Sequence, residues 1–322
     1  MSPEGRLRFP QERRFAFTII DDTDVATRRN VEPVYAALRE AGLRTTKTVW
    51  AFDWSGPSNF AGSTTLDDPD YVDFVHSLMA DGFEIASHGA SMETSDRATT
   101  LRAMQRFAEV LGNVPRVFAN HSNNAENLYW GTARVDSPVL RALYRRVLGK
   151  ADDFFQGHRP QSPLFWGDLC AEHHEYIRNL TFDTLDVRRY NPTLPYQDPR
   201  RPYGRWWYSA ADAEDRDEFV RIMTPANLDA LERDGGVCII ATHFGKGYAP
   251  EGVLDPAVAD IIADLGRRPG WYVPVGELLD WLRAQQPSTP PLPAGEWRRM
   301  QWAWARSLVR RRLQAGRLPW RQ

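Results

Sequence analysis

Apolar residues along the chain follow two rhythms. Short runs rich in β-branched and aromatic residues predict strands: "FAFTII" (15–20), "TTKTVWAF" (45–52), "FEIAS" (83–87), "RVFAN" (116–120), "NLTFD" (179–183), "VCIIAT" (237–242) and "WYVPV" (271–275). Between them, apolar positions recur at helical spacing. Val31, Val34, Tyr35 and Leu38 precede Gly42, and the runs 70–82, 97–112 and 255–266 each close on a glycine, a common helix stop. Strand and helix in regular succession predict βαβ units and a mainly parallel α/β sheet. Seven strands in about 270 residues suit a barrel at least as well as an open sheet.

Three stretches break the rhythm. The interval 121–178 reads as an insertion on one face, holding "NLYWG", "SPLFWGDLC" and a predicted helix over 168–179. The segment 188–209 is irregular and rich in proline and aromatics. "PSTPPLPAG" (287–295) is a stiff linker that separates a body, 1–286, from a tail, 287–322.

Composition changes this picture little except at the tail. Of 322 residues, 42% are hydrophobic and 25% charged, as in ordinary globular proteins, and a net charge of −2 leaves no nucleic-acid footprint. Two cysteines without a CxxC pair imply neither a disulfide framework nor a cysteine zinc site. The N-terminus has no apolar core of a secretory signal, and no run approaches the ~18 apolar residues of a membrane span, so a cytoplasmic location is expected. The tail is different, with eight arginines, no lysine and one acid, Glu296. Trp297, Met300, Trp304 and Leu308 fall on one helical face there. Such a helix, 296–314, can lie on an anionic membrane surface or meet a partner, or it can dock on the acidic body.

Chemistry gathers where strands end. Asp21 and Asp22 close the first predicted strand and Asp24 follows; His88 ends the third, Asn120 and His121 the fourth, and His243 the sixth. In parallel α/β barrels the C-terminal strand ends converge on the active site, so these residues are expected to meet. A carboxylate with two imidazoles is a usual ligand set for catalytic zinc, and a second carboxylate and a further histidine can then move protons. His76, His158, His173 and His174 lack this placement and read as structural. No GxSxG elbow is present to supply a serine nucleophile.

"FTIIDD", "GFEIASHG", "THF" and "WYVPVGELLDWL" resemble, in order and spacing over roughly 14–284, the polysaccharide deacetylase family (the NodB-homology domain). The resemblance implies a distorted (β/α)7 TIM-like barrel and metal-dependent removal of an N- or O-acetyl group from a carbohydrate. It implies Asp21 as general base, Asp22 and His88 as metal ligands, and His243 as general acid. The family's His-x-x-x-His motif is broken, because its second position is Met92. A thioether is a poor ligand for a hard or borderline cation. His121 is therefore expected as the third ligand, with Asp24, Glu93 and Asp96 as other oxygen donors. The cation would be zinc, with cobalt or nickel as alternatives. "FANHSNNAENLYWG" is similar to a variant cytoplasmic subgroup acting in surface-polysaccharide (O-antigen type) biosynthesis, and Asn120 is expected to touch substrate. Tyr196, Trp206 and Trp207 could stack on sugar rings or simply pack their loop on the barrel. Two rivals remain: a same-fold hydrolase of a non-carbohydrate amide or ester, and a glycan-binding relative without catalysis.

Overall fold

The computed structural model describes residues 7–58, 62–148, 153–286 and 292–314. Seven parallel strands close a barrel: β1 (Phe15–Asp21), β2 (Thr46–Val49), β3 (Glu84–Ser87), β4 (Val117–Ala119), β5 (Tyr176–Phe182), β6 (Trp206–Asp212) and β7 (Val237–Thr242). Each pairs with the next, and β1 bonds to both β7 and β2, which completes the ring. The distorted (β/α)7 barrel expected from the sequence is the fold observed.

The strand count is right for a different reason than expected. β6, "WWYSAAD", falls partly within the segment read as irregular and partly beyond it. β8 (Gly270–Tyr272), the expected seventh strand, instead pairs with Phe15–Phe17 of β1. β2 meets the same edge of β1 further on, at Ile20 and Asp21. One edge of β1 thus serves β8 in its first half and the barrel in its second.

Helices α1 (Arg28–Glu40), α2 (Pro69–Ala80), α3 (Arg97–Leu111), α6 (Arg216–Ile222), α7 (Pro225–Asp234), α8 (Pro256–Arg267) and α9 (Val275–Ala284) accompany the barrel. Their starts carry the expected chemistry. Thr27 and Asn30 form a capping box on α1, and Asp68, Asp96, Thr224 and Asp255 accept backbone N–H groups at α2, α3, α7 and α8. Asp96 is occupied as a cap, so its side chain serves α3. Gly112 and Gly235 end α3 and α7 at φ +80° and +66°, a backbone shape that side chains with a Cβ resist.

The insertion holds α4 (Pro138–Leu148) and α5 (Gly167–His173). The helix expected over 168–179 stops at His173, because Tyr176 and Ile177 are claimed by pairing with β4 on one side and β6 on the other. The linker residues 287–291 lie outside the described residues. The tail helix α10 (Ala294–Gln314) docks on the body rather than presenting its apolar face outward. Trp297, Met300 and Trp304 are buried, Trp304 stacks on Tyr144 at 5.6 Å, and Ser307 bonds to Asp183 at 2.7 Å. No helix among the described residues is long and apolar enough to cross a membrane.

Candidate functional site

Alternation along β1 sends its terminal aspartates to opposite sides. Asp21 faces the helical layer. Its carboxylate accepts from Tyr35 of α1 at 2.9 Å, Lys47 of β2 at 3.0 Å and the backbone N–H of Phe244 at 2.7 Å, and it is wholly buried. Burial opposes the Lys47 charge, but Asp21 outweighs it and raises the lysine pKa. Asp22 faces the barrel lumen, where Arg178 of β5 grips it with two parallel N–H donors. Burial works against the charge on Asp22, yet Arg178 holds its carboxyl below the usual range. A register shift between Arg178 and Thr181 marks a β-bulge at the residue that reaches inward.

Asp24 stands past the strand end, among three imidazoles. Its Oδ1 lies 3.4 Å from His88 Nε2 and 3.6 Å from His121 Nε2. Its Oδ2 lies 3.3 Å from His243 Nε2 and 3.5 Å from Lys246 Nζ. Burial penalises this carboxylate, but His243 and His88 more than compensate and its pKa falls well below normal. Asp24 Oδ1 and both ring nitrogens of His88 are buried without a hydrogen bond of normal length.

Two of the rings are oriented from behind. His243 Nδ1 meets the Glu214 carbonyl at 2.6 Å, so that nitrogen must be the N–H and Nε2 faces Asp24. His121 Nδ1 meets Asn124 Oδ1 at 2.9 Å. The Asn124 amide nitrogen donates to Ser91 O, Glu93 O and Glu126 Oε1, which assigns Oδ1 as an acceptor and His121 Nδ1 as the donor. Burial pushes the His121 pKa down to about 4, so at neutral pH its Nε2 bears a lone pair toward a carboxylate. His243 differs: burial lowers its pKa, but Asp24 reverses the sign and the net shift is upward.

Asp22, Asp24, His88, Asn120, His121 and His243 line one open cleft of about 410 Å³ at the C-terminal mouth of the barrel. Asn120 braces the loop above by bonding Leu128 through both N–H and C=O at 3.0 and 3.3 Å. Asp21 and Met92 are buried and do not line it. Nor do the three aromatics expected against sugar. Tyr196 and Trp207 are buried and bond each other's backbones, and Trp206 sits at the opposite end of β6 under Arg283. The aromatic walls are instead Trp130, Tyr144, Phe155 and, from α10, Trp304. From the sequence Asp24 is only a secondary oxygen donor, and Arg178, Arg134 and Lys246, which also border the cleft, fall in no motif. Arg178 had a findable signal, since it lies within an apolar strand where an arginine needs a buried anion.

The donors that could hold a cation here are Asp24, His88 and His121, with His243 opposite. Among the described residues, no group of three or more His, Cys, Asp or Glu side chains has the geometry of a metal site.

No protein-family model matches the chain, and no curated protein matches its sequence. Solved structures do. A protein from Mycobacterium smegmatis provisionally assigned as a polysaccharide deacetylase is 15% identical, with 91% of this chain and 98% of that one covered at a TM-score of 0.52. The chitin deacetylase of Colletotrichum lindemuthianum is 15% identical over 84% and 88%, at a TM-score of 0.41. A Bordetella bronchiseptica protein, provisionally assigned as a polysaccharide deacetylase of O-antigen biosynthesis, is 12% identical over 94% and 93%, at 0.37. The first of these likenesses establishes a shared barrel fold.

Proposed function

We propose that the protein is a metal-dependent carbohydrate deacetylase whose ligands are Asp24, His88 and His121. The observation that carries this reading is the buried Asp24 carboxylate, whose Oδ1 stands 3.4 Å from His88 Nε2 and 3.6 Å from His121 Nε2 with no hydrogen-bond partner of normal length. Electron-rich atoms at those separations want a cation between them. Ligands about 2.0–2.1 Å from a tetrahedral zinc stand roughly 3.3 Å apart, close to the 3.4 and 3.6 Å from Asp24 Oδ1 to the His88 and His121 rings. The hydrogen bonds behind His121 and His243 are the outer supports that metal-ligating histidines commonly have. When bound, the cation polarises an acyl carbonyl and acidifies water.

The chain's own residues divide the remaining work. Asp22, kept ionised and aimed by Arg178, takes the proton from the attacking water. This moves both roles expected for the aspartate pair along the chain: the base from Asp21 to Asp22, and the oxygen ligand from Asp22 to Asp24. His243, 3.8 Å from Asp22 Oδ2 and with a raised pKa, holds a proton for the departing amine or alkoxide. Trp130 and Trp304 give the cleft apolar walls against which the apolar side of a sugar could pack. The breadth of the cleft favours a carbohydrate over a small acyl ester.

Zinc content and acetate release from acetylated sugars test the reading together. Asp24→Ala and His121→Ala should lose stoichiometric zinc, Met92→Ala should keep it, and Asp22→Asn should keep zinc while losing acetate release. Full zinc in both Asp24→Ala and His121→Ala would sink the ligand assignment. Unchanged turnover in Asp22→Asn would sink the base.

A further inference from the structure

Arg134 is the one arginine or lysine lining the cleft that meets no carboxylate among the described residues. Arg178 holds Asp22, Arg311 pairs with Asp212, and Lys246 lies 3.5 Å from both Asp24 and Glu214. Arg134 is 7% exposed, and among the described residues its hydrogen bond runs to the backbone oxygen of Asn179. Its Nε is buried without a partner. Its guanidinium stacks 3.4 Å from the centroid of Trp130 and lies 5.7 Å from that of Trp304. Burial, with the Arg178 and Arg311 charges adding to it, pushes its pKa down to about 9. A buried guanidinium against like charges is unfavourable unless an anion joins it. With Nε sealed and Nη2 donating to Asn179 O, Nη1 is the donor left between the aromatic walls for a carboxylate or phosphate.

We propose that Arg134 anchors an anionic substituent, a carboxylate or a phosphate, on the sugar that occupies this cleft. Resting on the deacetylase reading, this narrows its substrate class to acetylated sugars that carry a negative group. The cation–π contacts with Trp130 and Trp304 hold the guanidinium in place but leave its charge unneutralised.

Calorimetric titration of the full-length protein with D-glucose, D-glucuronate and D-glucose 1-phosphate tests the proposal with probes that hold no acyl group to cleave. At least one anionic probe should bind tenfold or more tightly than glucose, and Arg134→Met should bring that ratio to within about threefold. Whichever anionic probe loses its advantage in Arg134→Met identifies the carboxylate or the phosphate as the source. Equal affinity for all three probes, or a preference that survives Arg134→Met, overturns the proposal. If Arg134→Met fails to fold, a crystal structure of the wild type with the tighter anionic probe decides. An anion within hydrogen-bond distance of Arg134 supports the assignment, and one placed elsewhere overturns it. Acetate release from acetylated sugars is read separately. Charge preference without acetate release removes the deacetylase reading and leaves Arg134 as an anion site, and acetate release without charge preference does the reverse.

Discussion

Asp21 and Asp22 are adjacent and both buried, yet their neighbours give them different work. Removing the charge at Asp21 strands Lys47 in a layer that water does not reach. Breaking such a pair from one side costs roughly 3–5 kcal/mol, so Asp21→Asn should lower the denaturant midpoint sharply while the remaining folded protein still binds the zinc proposed for it. Asp22→Asn should instead act on rate. Losing a positioned base costs about 10²–10⁴-fold, measurable as acetate release per mole of folded protein. If Asp21→Asn is as stable as wild type and only slower, the two roles are reversed. His174 offers a prediction remote from the cleft. It is fully buried, stacks on Phe118 at 5.1 Å, and has its pKa pushed down to about 4 by burial. Unfolded, it takes a proton near 6.5. Its contribution to stability is therefore complete above about pH 6.5. Between there and about pH 4 the unfolded chain gains a proton that the fold refuses, and on the order of 3 kcal/mol is lost. Urea midpoints at pH 7.5 and 4.5 should fall further apart in wild type than in His174→Phe. Equal declines would refute this.

Among the elements, α10 departs most from an isolated amphipathic helix. Its tryptophan face closes one side of the barrel mouth, and its arginines reach carboxylates at strand ends: Arg310 to Asp183 at 2.9 Å, and Arg311 to Asp212. The acidic body thus supplies the partner that the basic tail needs. Trp297 is 2% exposed, donates to Asp136 and lies beneath Arg200 and Arg201. Trp297→Ala should cost about 3–5 kcal/mol in chemical denaturation, the usual effect of emptying a large aromatic site. A change within experimental error would mean that α10 rests on the body without supporting it. The strands differ in how far their own residues reveal them. β1 and β7 are apolar runs bounded by polar residues and stand out. β6 was hidden because "WWYSAAD" is flanked by arginine and proline and ends in small residues, so its burial comes from β5 and β7 rather than from its own pattern.

At the scale of the whole molecule, the barrel makes a site from residues more than 200 positions apart. Because Asp24, His88 and His121 arrive from three different strand ends, a cation would tie them together only in the folded state. Zinc at 100 times its dissociation constant should then add about 2.7 kcal/mol to stability. The measurement is the melting temperature with zinc and with chelator. Wild type should shift and Asp24→Ala should not. Equal shifts in both would place zinc elsewhere.

By itself, the sequence pattern determined the alternation of strand and helix and the gathering of His88, His121 and His243 at one end, while the barrel class came from the family resemblance. The first two follow from local periodicity and from the rule that parallel strands share a direction. It also marked the broken motif at Met92. Tertiary structure alone decided which way each aspartate points and what it meets. Asp21 meets Lys47 and Asp22 meets Arg178, a partner 156 residues away. Asp24, which reads as an ordinary loop acid, becomes the centre of the cluster only when three strand ends close around it. The same holds for Arg134: no spacing announces a guanidinium without a counter-charge, because the lack is visible only once every neighbour has been placed.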